Sequence, residues 1–456
     1  MPSSGQTQTF LNDVMSSIAE RGRALLGRSR AGIEQIDLIA VGELLLSRRG
    51  EASGVALAQT LLEGYARAPL ALRLQFLTAL AERFGPDPKR LDKAVENFRN
   101  DPGPATARAL HDASEPRRQE LIRRLNLAPG GTFALVRMRE ELLEHLSARP
   151  DLKAVNDDFV HLLSSWFNRG FLVLRPIDWS TPANILEKII RYEAVHAIQD
   201  WNDLRNRLQP PDRRCFGFFH PQLVDEPLIF VEVALTTDIP AAIAPLLAMD
   251  RAPIPAQEAT TAVFYSISNT QKGLGGVSFG NFLIKQVVED LKRELPNLRT
   301  FVTLSPVPGF AAWLSGERAN GASTLLTEAE KQALRPLDEP GWHLDPATVE
   351  TVRRTLMPAA AAYFLRAKTP RGRPIDPVAR FHLGNGARLE RINFLGDVST
   401  KGLRQSHGLM VNYLYDLGHI EKNHEAFAEK GEVAAASSVR KLLRADLPAR
   451  ELVPTP

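Results

Sequence analysis

Cysteine is nearly absent from this 456-residue chain, whose single cysteine is Cys215. One cysteine cannot form an internal disulfide or build a cysteine-rich zinc or iron–sulfur site, so a reducing compartment is expected. The sequence also lacks an uncharged apolar run of the about 18 residues that a transmembrane helix needs. Its first residues lack the basic start and apolar stretch of a secretory signal, and its last residues are not the peroxisomal Ser-Lys-Leu address. We therefore expect a cytoplasmic protein without a membrane segment.

A strong charge imbalance is missing as well. The chain has 56 Lys and Arg against 53 Asp and Glu, for a formal net charge of +3, and the two signs are interspersed. Without a basic tail or stripe, binding to nucleic acid or to a membrane surface is not expected, whereas a small polyanionic ligand suits this balance. Hydrophobic residues make up 44% of the chain and charged residues 24%, as in folded globular proteins, and the length favours two or three domains, of which we take two as the working number.

Up to about residue 165 the apolar residues recur at helical spacing. One such series repeats every fourth residue from Leu72 to Phe84 and ends at the glycine and prolines of 85–88. Proline and glycine breaks near 101–104 and 128–131 bound further helices near 105–126 and 132–147. We predict an all-helical domain over residues 1–165.

From about Gly170 onward the pattern changes to short apolar, β-branched runs that are typical of strands. These runs are residues 171–174, 228–235, 263–268 and 300–304, and a helical pattern starts at Asn281 and ends near 295. Strands that alternate with helices predict a mixed α/β domain over residues 166–456. The chain as a whole is predicted to be of the α+β class.

A glycine-rich segment, residues 270–281, lies between the strand at 263–268 and the helix that follows. Glycine lets backbone approach a ligand, and free N–H groups at the start of a helix bind phosphate. We call residues 270–281 the glycine segment and predict that it holds phosphate groups. The predicted binding residues are Gly273, Gly275, Gly276, Val277, Ser278, Phe279, Gly280 and Asn281.

Other interpretations of the glycine segment differ in strength. A Walker A loop requires Lys-Ser or Lys-Thr after the last glycine, and a Rossmann motif requires a third glycine at fixed spacing, so both fail. Gly276-Val-Ser278-Phe-Gly280 matches the G-x-S-x-G elbow of serine hydrolases, but the strand does not run straight into Ser278. A flexible turn that merely precedes a helix remains an alternative.

Ser305 and His382 are candidates for chemistry. Ser305 follows the strand at 300–304, at the carboxyl end where α/β proteins bind ligands, and Pro306 and Pro308 stiffen the chain after it. His382 precedes a glycine turn at 384–386, a kind of turn that often presents residues to a pocket. For both residues a structural role, such as a turn cap or a packed histidine, stays open. No histidine grouping has the spacing of a metal site.

Several segments, taken in order, resemble the malonyl-CoA decarboxylase family across roughly residues 70–420. They include Glu193-Ala-Val-His, Thr270-Gln-Lys-Gly-Leu, Leu304-Ser-Pro-Val-Pro-Gly-Phe, Pro377-Val-Ala-Arg-Phe-His-Leu-Gly-Asn-Gly and Gly408-Leu-Met-Val-Asn-Tyr. The resemblance implies a helical N-terminal domain used in assembly and a catalytic domain with the acetyltransferase-like (GNAT) fold. It also implies a homotetramer built as a dimer of dimers.

The resemblance further implies decarboxylation of malonyl-CoA to acetyl-CoA and CO2 without biotin, metal or other bound cofactor. By motif, Ser305 and His382 occupy the two catalytic positions, with an imidazolium at His382 as the proton donor and Ser305 as its hydroxyl partner. Tyr415 matches a tyrosine near the site, and Asn385 is expected to line the pocket. Family members can carry a glutamate where this chain has Ser278.

Two other functions stay open from the residues. The same phosphate-binding segment could serve an acyltransferase that passes an acyl group to an amine. It could also serve a non-catalytic acyl-CoA sensor whose helical domain binds partners.

Overall fold

The computed structural model describes residues 36–47, 51–277, 283–321 and 323–443, which fall into two compact units. The described residues of the first unit run to Val173 and include Phe219–Leu228 and the part of Gln271–Gly280 that ends at Val277. The second unit contains Leu174–Phe218, Ile229–Thr270 and the described residues from Leu283 onward. The first unit therefore includes two segments that lie far along the chain from its helices.

The described residues of the first unit up to Trp166 form helices only, as predicted. The helices are α1 Leu38–Leu46, α2 Glu51–Arg67, α3 Leu70–Glu82, α4 Pro88–Asn100, α5 Pro104–Ser114, α6 Arg117–Asn126, α7 Gly131–His145 and α8 Lys153–Trp166. The single helix predicted near 105–126 was wrong, because α5 and α6 are separate. Pro116 separates them: Glu115 before it is extended, with φ −66° and ψ 123°, since a residue that precedes proline is disfavoured in the helical region.

The strands form a mixed sheet, most of which lies in the second unit. They are β1 Val173–Ile177, β2 Arg213–Phe219, β3 Pro227–Thr236, β4 Thr261–Asn269, β5 Thr300–Thr303, β6 Ser305–Pro306, β7 Arg388–Asn393 and β8 Met410–Leu414. Their order is β1-β2-β3-β4-β5-β8-β6, with β7 paired to β8. A core that includes Val263, Val302 and Met410 packs against one face. The predicted α+β class, a helical region followed by a mixed α/β domain, is confirmed.

The helices of the second unit connect and cover these strands. They are α9 Ala183–Tyr192, α10 Trp201–Leu208, α11 Ala244–Leu247, α12 Leu283–Glu294, α13 Phe310–Ala319, α14 Glu328–Ala333, α15 Pro346–Leu365, α16 Pro377–Gly384, α17 Thr400–Ser406, α18 Ile420–Lys430 and α19 Ser437–Arg440. Among all helices of the described ranges, none is long and apolar enough to cross a membrane.

Strands β4 and β5 are parallel and separate along their length. They pair from Thr261 with Thr300 to Phe264 with Thr303, and beyond that point β4 continues to Asn269 without β5. Helix α12 makes the crossover that a parallel pair requires. The predicted strand, helix and strand around the glycine segment are therefore confirmed, and the parting of β4 from β5 opens space between them.

Candidate active site

Ser305 lies where the sheet becomes irregular between β5 and β6. The backbone N–H of Tyr413 donates to Thr303 Oγ1 at 3.1 Å, so a side chain takes the place of a main-chain acceptor. The Asn412 amide Nδ2 donates to the Thr303 carbonyl at 2.8 Å. Pairing then resumes between Ser305 and Val411. These contacts fix the backbone on which the Ser305 hydroxyl stands.

His382 lies in the last turn of α16. The Asp376 carboxylate caps this helix, because its Oδ1 accepts the Ala379 N–H at 2.7 Å, and its Oδ2 accepts the Tyr363 hydroxyl at 3.1 Å. Beyond the helix, Gly386 has φ +81°, and a Cβ there would lie 2.1 Å from the Ile420 carbonyl oxygen. The glycine turn after His382 is thus confirmed, although the histidine itself is helical.

The structure brings Ser305, His382 and Tyr415 into one hydrogen-bonded row. Ser305 Oγ lies 3.2 Å from His382 Nε2, and His382 Nδ1 lies 2.8 Å from the Tyr415 hydroxyl. Ser305 donates its one hydroxyl hydrogen to Thr303 Oγ1 at 2.8 Å. Its oxygen must therefore accept a hydrogen from His382 Nε2, which leaves Nδ1 of a neutral ring to accept from Tyr415.

Burial determines the charge state of this row. His382 is 3% exposed, and desolvation lowers its pKa to about 3, so the ring is neutral near pH 7 in this structure. Burial also raises the pKa of the Tyr415 phenol well above its usual value, so this hydroxyl keeps its hydrogen. The imidazolium expected from the sequence is therefore not the resting form, because burial removes the ring from water and disfavours its charged state.

Thr303 and Tyr413 are site residues that the sequence analysis missed. The Tyr413 ring stacks on the His382 ring with 4.7 Å between centroids and 23° between planes. Each residue stands two positions from a predicted one, Thr303 from Ser305 and Tyr413 from Tyr415. Since side chains two apart in extended chain share a face, this spacing was a signal that could have identified both.

A cavity of about 270 Å³ opens on Ser305 and His382. Most of its wall is apolar and comes from β3, β4, α12 and α16. Its lining residues are Val195, Ile229, Val231, Phe264, Tyr265, Ile267, Asn269, Leu283, Ile284, Ser305, Pro306, Pro377, Val378, Phe381 and His382. Apolar walls with a few convergent polar groups are typical of a small-molecule site. None of these lining residues is a lysine, an arginine or an acid.

A bulge in β4 lies in the cavity wall. The register between β3 and β4 shifts so that Glu232 faces Ser266 and Val233 faces Phe264, which leaves Tyr265 without a partner in β3. The pairing of β4 with β5 also ends at Phe264. Bulges often redirect groups next to active sites, and this one brings Tyr265 to the cavity.

Comparisons with known proteins identify the family. The model of the malonyl-CoA decarboxylase C-terminal domain matches residues 170–453, which is more than half of the chain. The chain belongs to the malonyl-CoA decarboxylase family. The model of the N-terminal domain of the same family matches residues 84–167. The resemblance inferred from the motifs is confirmed, and so is the enzyme class, because members of this family are carboxy-lyases.

Solved and curated malonyl-CoA decarboxylases are similar over most of this chain. The crystal structure of the Rhodopseudomonas palustris protein is 67% identical, with a TM-score of 0.88 over 90% of this chain and 100% of that chain. The Agrobacterium vitis structure is 61% identical, with a TM-score of 0.86 over the same shares. The mitochondrial malonyl-CoA decarboxylase of Anser anser anser is 38% identical over 71% of this chain and 69% of its own length.

The glycine segment of this family member is described only as far as Val277. Lys272–Leu274 form a 3-10 turn, in which the Gly275 N–H donates to the Lys272 carbonyl at 2.9 Å. The Val277 N–H donates to the Leu274 carbonyl at 3.0 Å, so the Gly275 and Val277 amides are both occupied within the turn. Ser278, Phe279, Gly280 and Asn281 lie outside the described residues.

The remaining predicted positions differ in their placement. Gly273 is buried, whereas Gly275 and Gly276 are exposed, and Gly276 has φ +78°, a conformation that favours glycine. Asn385 caps the end of α16, where its Nδ2 donates to the Phe381 carbonyl at 2.7 Å. Asn385 is not among the residues that line the cavity.

Proposed function

We propose that this chain removes CO2 from malonyl-CoA and releases acetyl-CoA, with Ser305, His382 and Tyr415 acting at the cavity. The observation that carries the proposal is the hydrogen-bonded row of these three side chains on an apolar cavity in a member of the malonyl-CoA decarboxylase family. The thioester would enter between the parted strands β4 and β5.

Loss of CO2 is favoured by the character of the cavity. A malonyl carboxylate in an apolar enclosure without a lining cation is poorly stabilised, and it loses its charge when the carbon–carbon bond breaks and CO2 leaves. The electron pair of that bond passes to the thioester as an enolate. The Ser305 hydroxyl hydrogen, which Thr303 accepts in this structure, turns to the enolate oxygen and stabilises it.

A neutral His382 delivers the proton to carbon. In this step the negative charge passes from the enolate carbon to the Tyr415 oxygen. Because an enolate carbon is a much stronger base than a phenolate, the neutral imidazole is an adequate acid when Tyr415 replaces its proton. As Nε2 gives its hydrogen to carbon, Nδ1 takes the hydrogen of Tyr415, and the ring stays neutral. Solvent then returns one proton to Nε2 and the Nδ1 hydrogen goes back to the Tyr415 phenolate, so each turnover consumes one proton.

The proposal extends to coenzyme A binding, to assembly and to location. The glycine segment, from Gly275 through Asn281, would hold the diphosphate of coenzyme A, with Gly273 supporting the turn. The homotetramer and the cytoplasmic location are predictions from the resemblance and from the composition. No metal, biotin or other bound cofactor is needed by the steps proposed above.

The deciding experiment incubates the purified protein with malonyl-CoA and measures CO2 and acetyl-CoA. Ser305→Ala and His382→Asn are each expected to lower kcat by about 100-fold or more while CoA still binds, because each removes a group that acts in the transition state. Exposed Ser438→Ala and His419→Asn serve as matched controls and should retain activity.

The same experiment separates the alternatives. CoA release that requires an added amine would support an acyltransferase, and tight binding of malonyl-CoA without turnover would support a sensor. Full activity in His382→Asn would overturn the role given to that residue. Labelling of Ser278 by a fluorophosphonate would revive the serine hydrolase interpretation.

A further inference from the structure

Arg139, in the middle of α7, reaches the turn that begins the glycine segment. Its Nη1 donates to the Gly273 carbonyl at 2.6 Å, and its Nη2 donates to the Gly275 carbonyl at 2.7 Å. Its Nε donates to Asn156 Oδ1 at 3.1 Å. The side chain is 2% exposed, so both ends of the guanidinium fork are held inside the first compact unit.

The charge of Arg139 has no acidic partner among the residues that the structure describes. The described hydrogen-bond acceptors of its side chain are two carbonyl oxygens and one amide oxygen. Burial lowers the pKa of this guanidinium. Arginine is otherwise rarely buried without a carboxylate. A buried positive charge placed against the backbone of a predicted phosphate-binding segment therefore requires a reason other than an ion pair.

The turn also lies directly on the backbone of α7. A Cβ at Gly273 would stand 1.9 Å from the Val136 carbonyl oxygen and 2.9 Å from Val136 Cγ1. The glycine at 273 is thus required by packing against the helix. Arg139 and Gly273 together fix the position of the turn through two independent contacts.

The fork of Arg139 fixes the direction of one free amide. The peptide between Gly275 and Gly276 is trans, so its N–H points opposite to its carbonyl. Because the Gly275 carbonyl points to Arg139, the Gly276 N–H points away from it, and none of the described residues accepts that hydrogen. Gly276 is exposed. A guanidinium on the carbonyl also polarises the peptide and strengthens its N–H as a donor.

We propose that Arg139 is a positioning residue for coenzyme A: it orients the Gly275–Gly276 peptide so that the Gly276 N–H donates to the diphosphate of the bound thioester. The inference rests on the proposed function for the identity of the ligand. It gives a helix of the first unit an indirect part in coenzyme A binding, through the Gly275–Gly276 peptide. The effect acts on the nucleotide end of the substrate and leaves the chemistry at Ser305 and His382 untouched.

The test compares two substrates. Malonyl-CoA carries the diphosphate, whereas malonyl-pantetheine has the same thioester and pantetheine arm without it. For Arg139→Met, KM for malonyl-CoA and Kd for CoA should rise about tenfold or more, since a charge-assisted hydrogen bond to backbone is lost. Its kcat for malonyl-CoA and its kcat/KM for malonyl-pantetheine should stay within about twofold of the unmodified protein.

Arg139→Lys, Asn156→Ala and Arg137→Met complete the design. Lysine keeps the charge but cannot bind both carbonyls, so Arg139→Lys should show an intermediate loss of CoA affinity. If Arg139→Met does not fold, the CoA affinity of Arg139→Lys tests the proposed role. Asn156→Ala removes the acceptor of Nε and should weaken CoA binding less. Arg137 is exposed on the same helix and pairs with Glu140, so Arg137→Met is the matched control. This variant should change the kinetic constants for neither substrate.

Two outcomes would overturn the inference: unchanged CoA affinity in Arg139→Met and Arg139→Lys, or equal losses with both substrates. Failure of the proposed function is a separate result. If the unmodified protein binds CoA but does not decarboxylate malonyl-CoA, the proposed reaction is wrong, and the CoA affinities of the variants still decide the role of Arg139.

Discussion

The imidazole of His382 lies face to face with the phenol ring of Tyr413, with 4.7 Å between the ring centroids and 23° between the planes. The Tyr413 hydroxyl is buried and has no hydrogen-bond partner among the described residues. The ring of Tyr413, rather than its hydroxyl, is therefore the part that contacts the histidine. Together with the hydrogen bonds at its two nitrogens, this stack fixes the plane in which His382 lies.

Replacing Tyr413 should separate packing from hydrogen bonding. Tyr413→Phe keeps the ring and removes only an unpaired buried hydroxyl, so its kcat should stay near that of the unmodified protein. Tyr413→Leu removes the stacked face and should lower kcat by about tenfold to a hundredfold, with KM little changed, because a loosely held imidazole reaches the reactive geometry less often. Steady-state kinetics of both variants checks this, and equal kcat in the two would refute it.

Tyr415→Phe should change the pH dependence as well as the rate. In the proposed mechanism the proton comes from a neutral imidazole that Tyr415 replenishes, so kcat of the unmodified protein should be nearly flat from about pH 6 to pH 9. Without the phenol, His382 must first take a proton from solvent, and its pKa of about 3 makes that form rare. The kcat of Tyr415→Phe should then fall about tenfold for each rise of one pH unit. A tenfold fall per unit in the unmodified protein would instead favour the imidazolium route.

His382 should also make the fold less stable in acid. Its pKa is about 3 in the folded protein against a usual 6.5, so the unfolded chain binds the additional proton between those values. Stability contributed by the neutral ring is complete above about pH 6.5 and is lost as the pH falls toward 3. From pH 7 to pH 5 the unmodified protein should lose about 2 kcal/mol more than His382→Asn. Urea unfolding at both pH values measures this, and an equal loss in the two proteins would contradict it.

Arg207 should contribute strongly to the stability of the second unit. Its side chain is 2% exposed, and it donates to Asp203 Oδ1 at 3.0 Å and to Glu232 Oε2 at 3.2 Å. Burial raises the pKa of Glu232 to about 8, so above that pH Arg207→Met leaves a buried carboxylate without its cation and should destabilise the fold by about 3–5 kcal/mol. The double variant Arg207→Met with Glu232→Leu removes both charges and should recover most of that loss in a urea unfolding experiment. Equal stability of the single and double variants would contradict this explanation, because the loss would then not come from an unpaired carboxylate.

Much of the fold could be predicted from residue patterns, and the missed strands β7 and β8 have a common cause. The helical region and the strands β3, β4 and β5 were predicted because their periodicity is strong over a long enough run. β2, β7 and β8 were not predicted: β7 contains charged residues at Arg388, Glu390 and Arg391, and β8 has only the five residues Met410–Leu414. Short strands of mixed polarity become strands by pairing with a neighbour, which periodicity along one segment does not record.

The glycine segment shows the same limit at the site itself. From the sequence, we interpreted its glycines as positions where backbone can approach a phosphate. In the structure a glycine is required at 273 for packing, because the Val136 carbonyl oxygen occupies the space that a Cβ would need. A helix 134 residues earlier in the chain supplies Arg139 to the Gly273 carbonyl. No local pattern connects such distant segments.

The sequence by itself determined the α+β class, the family, and Ser305 and His382 as the pair to examine, because these depend on local periodicity and on motifs that stand in the chain as written. Only the tertiary structure decided what surrounds the pair. Burial makes His382 neutral, Thr303 takes the hydrogen of Ser305, and Tyr415 faces the far nitrogen of the ring. A pKa and a hydrogen-bond direction depend on what surrounds a side chain in space, and those surroundings come from segments that folding alone brings together.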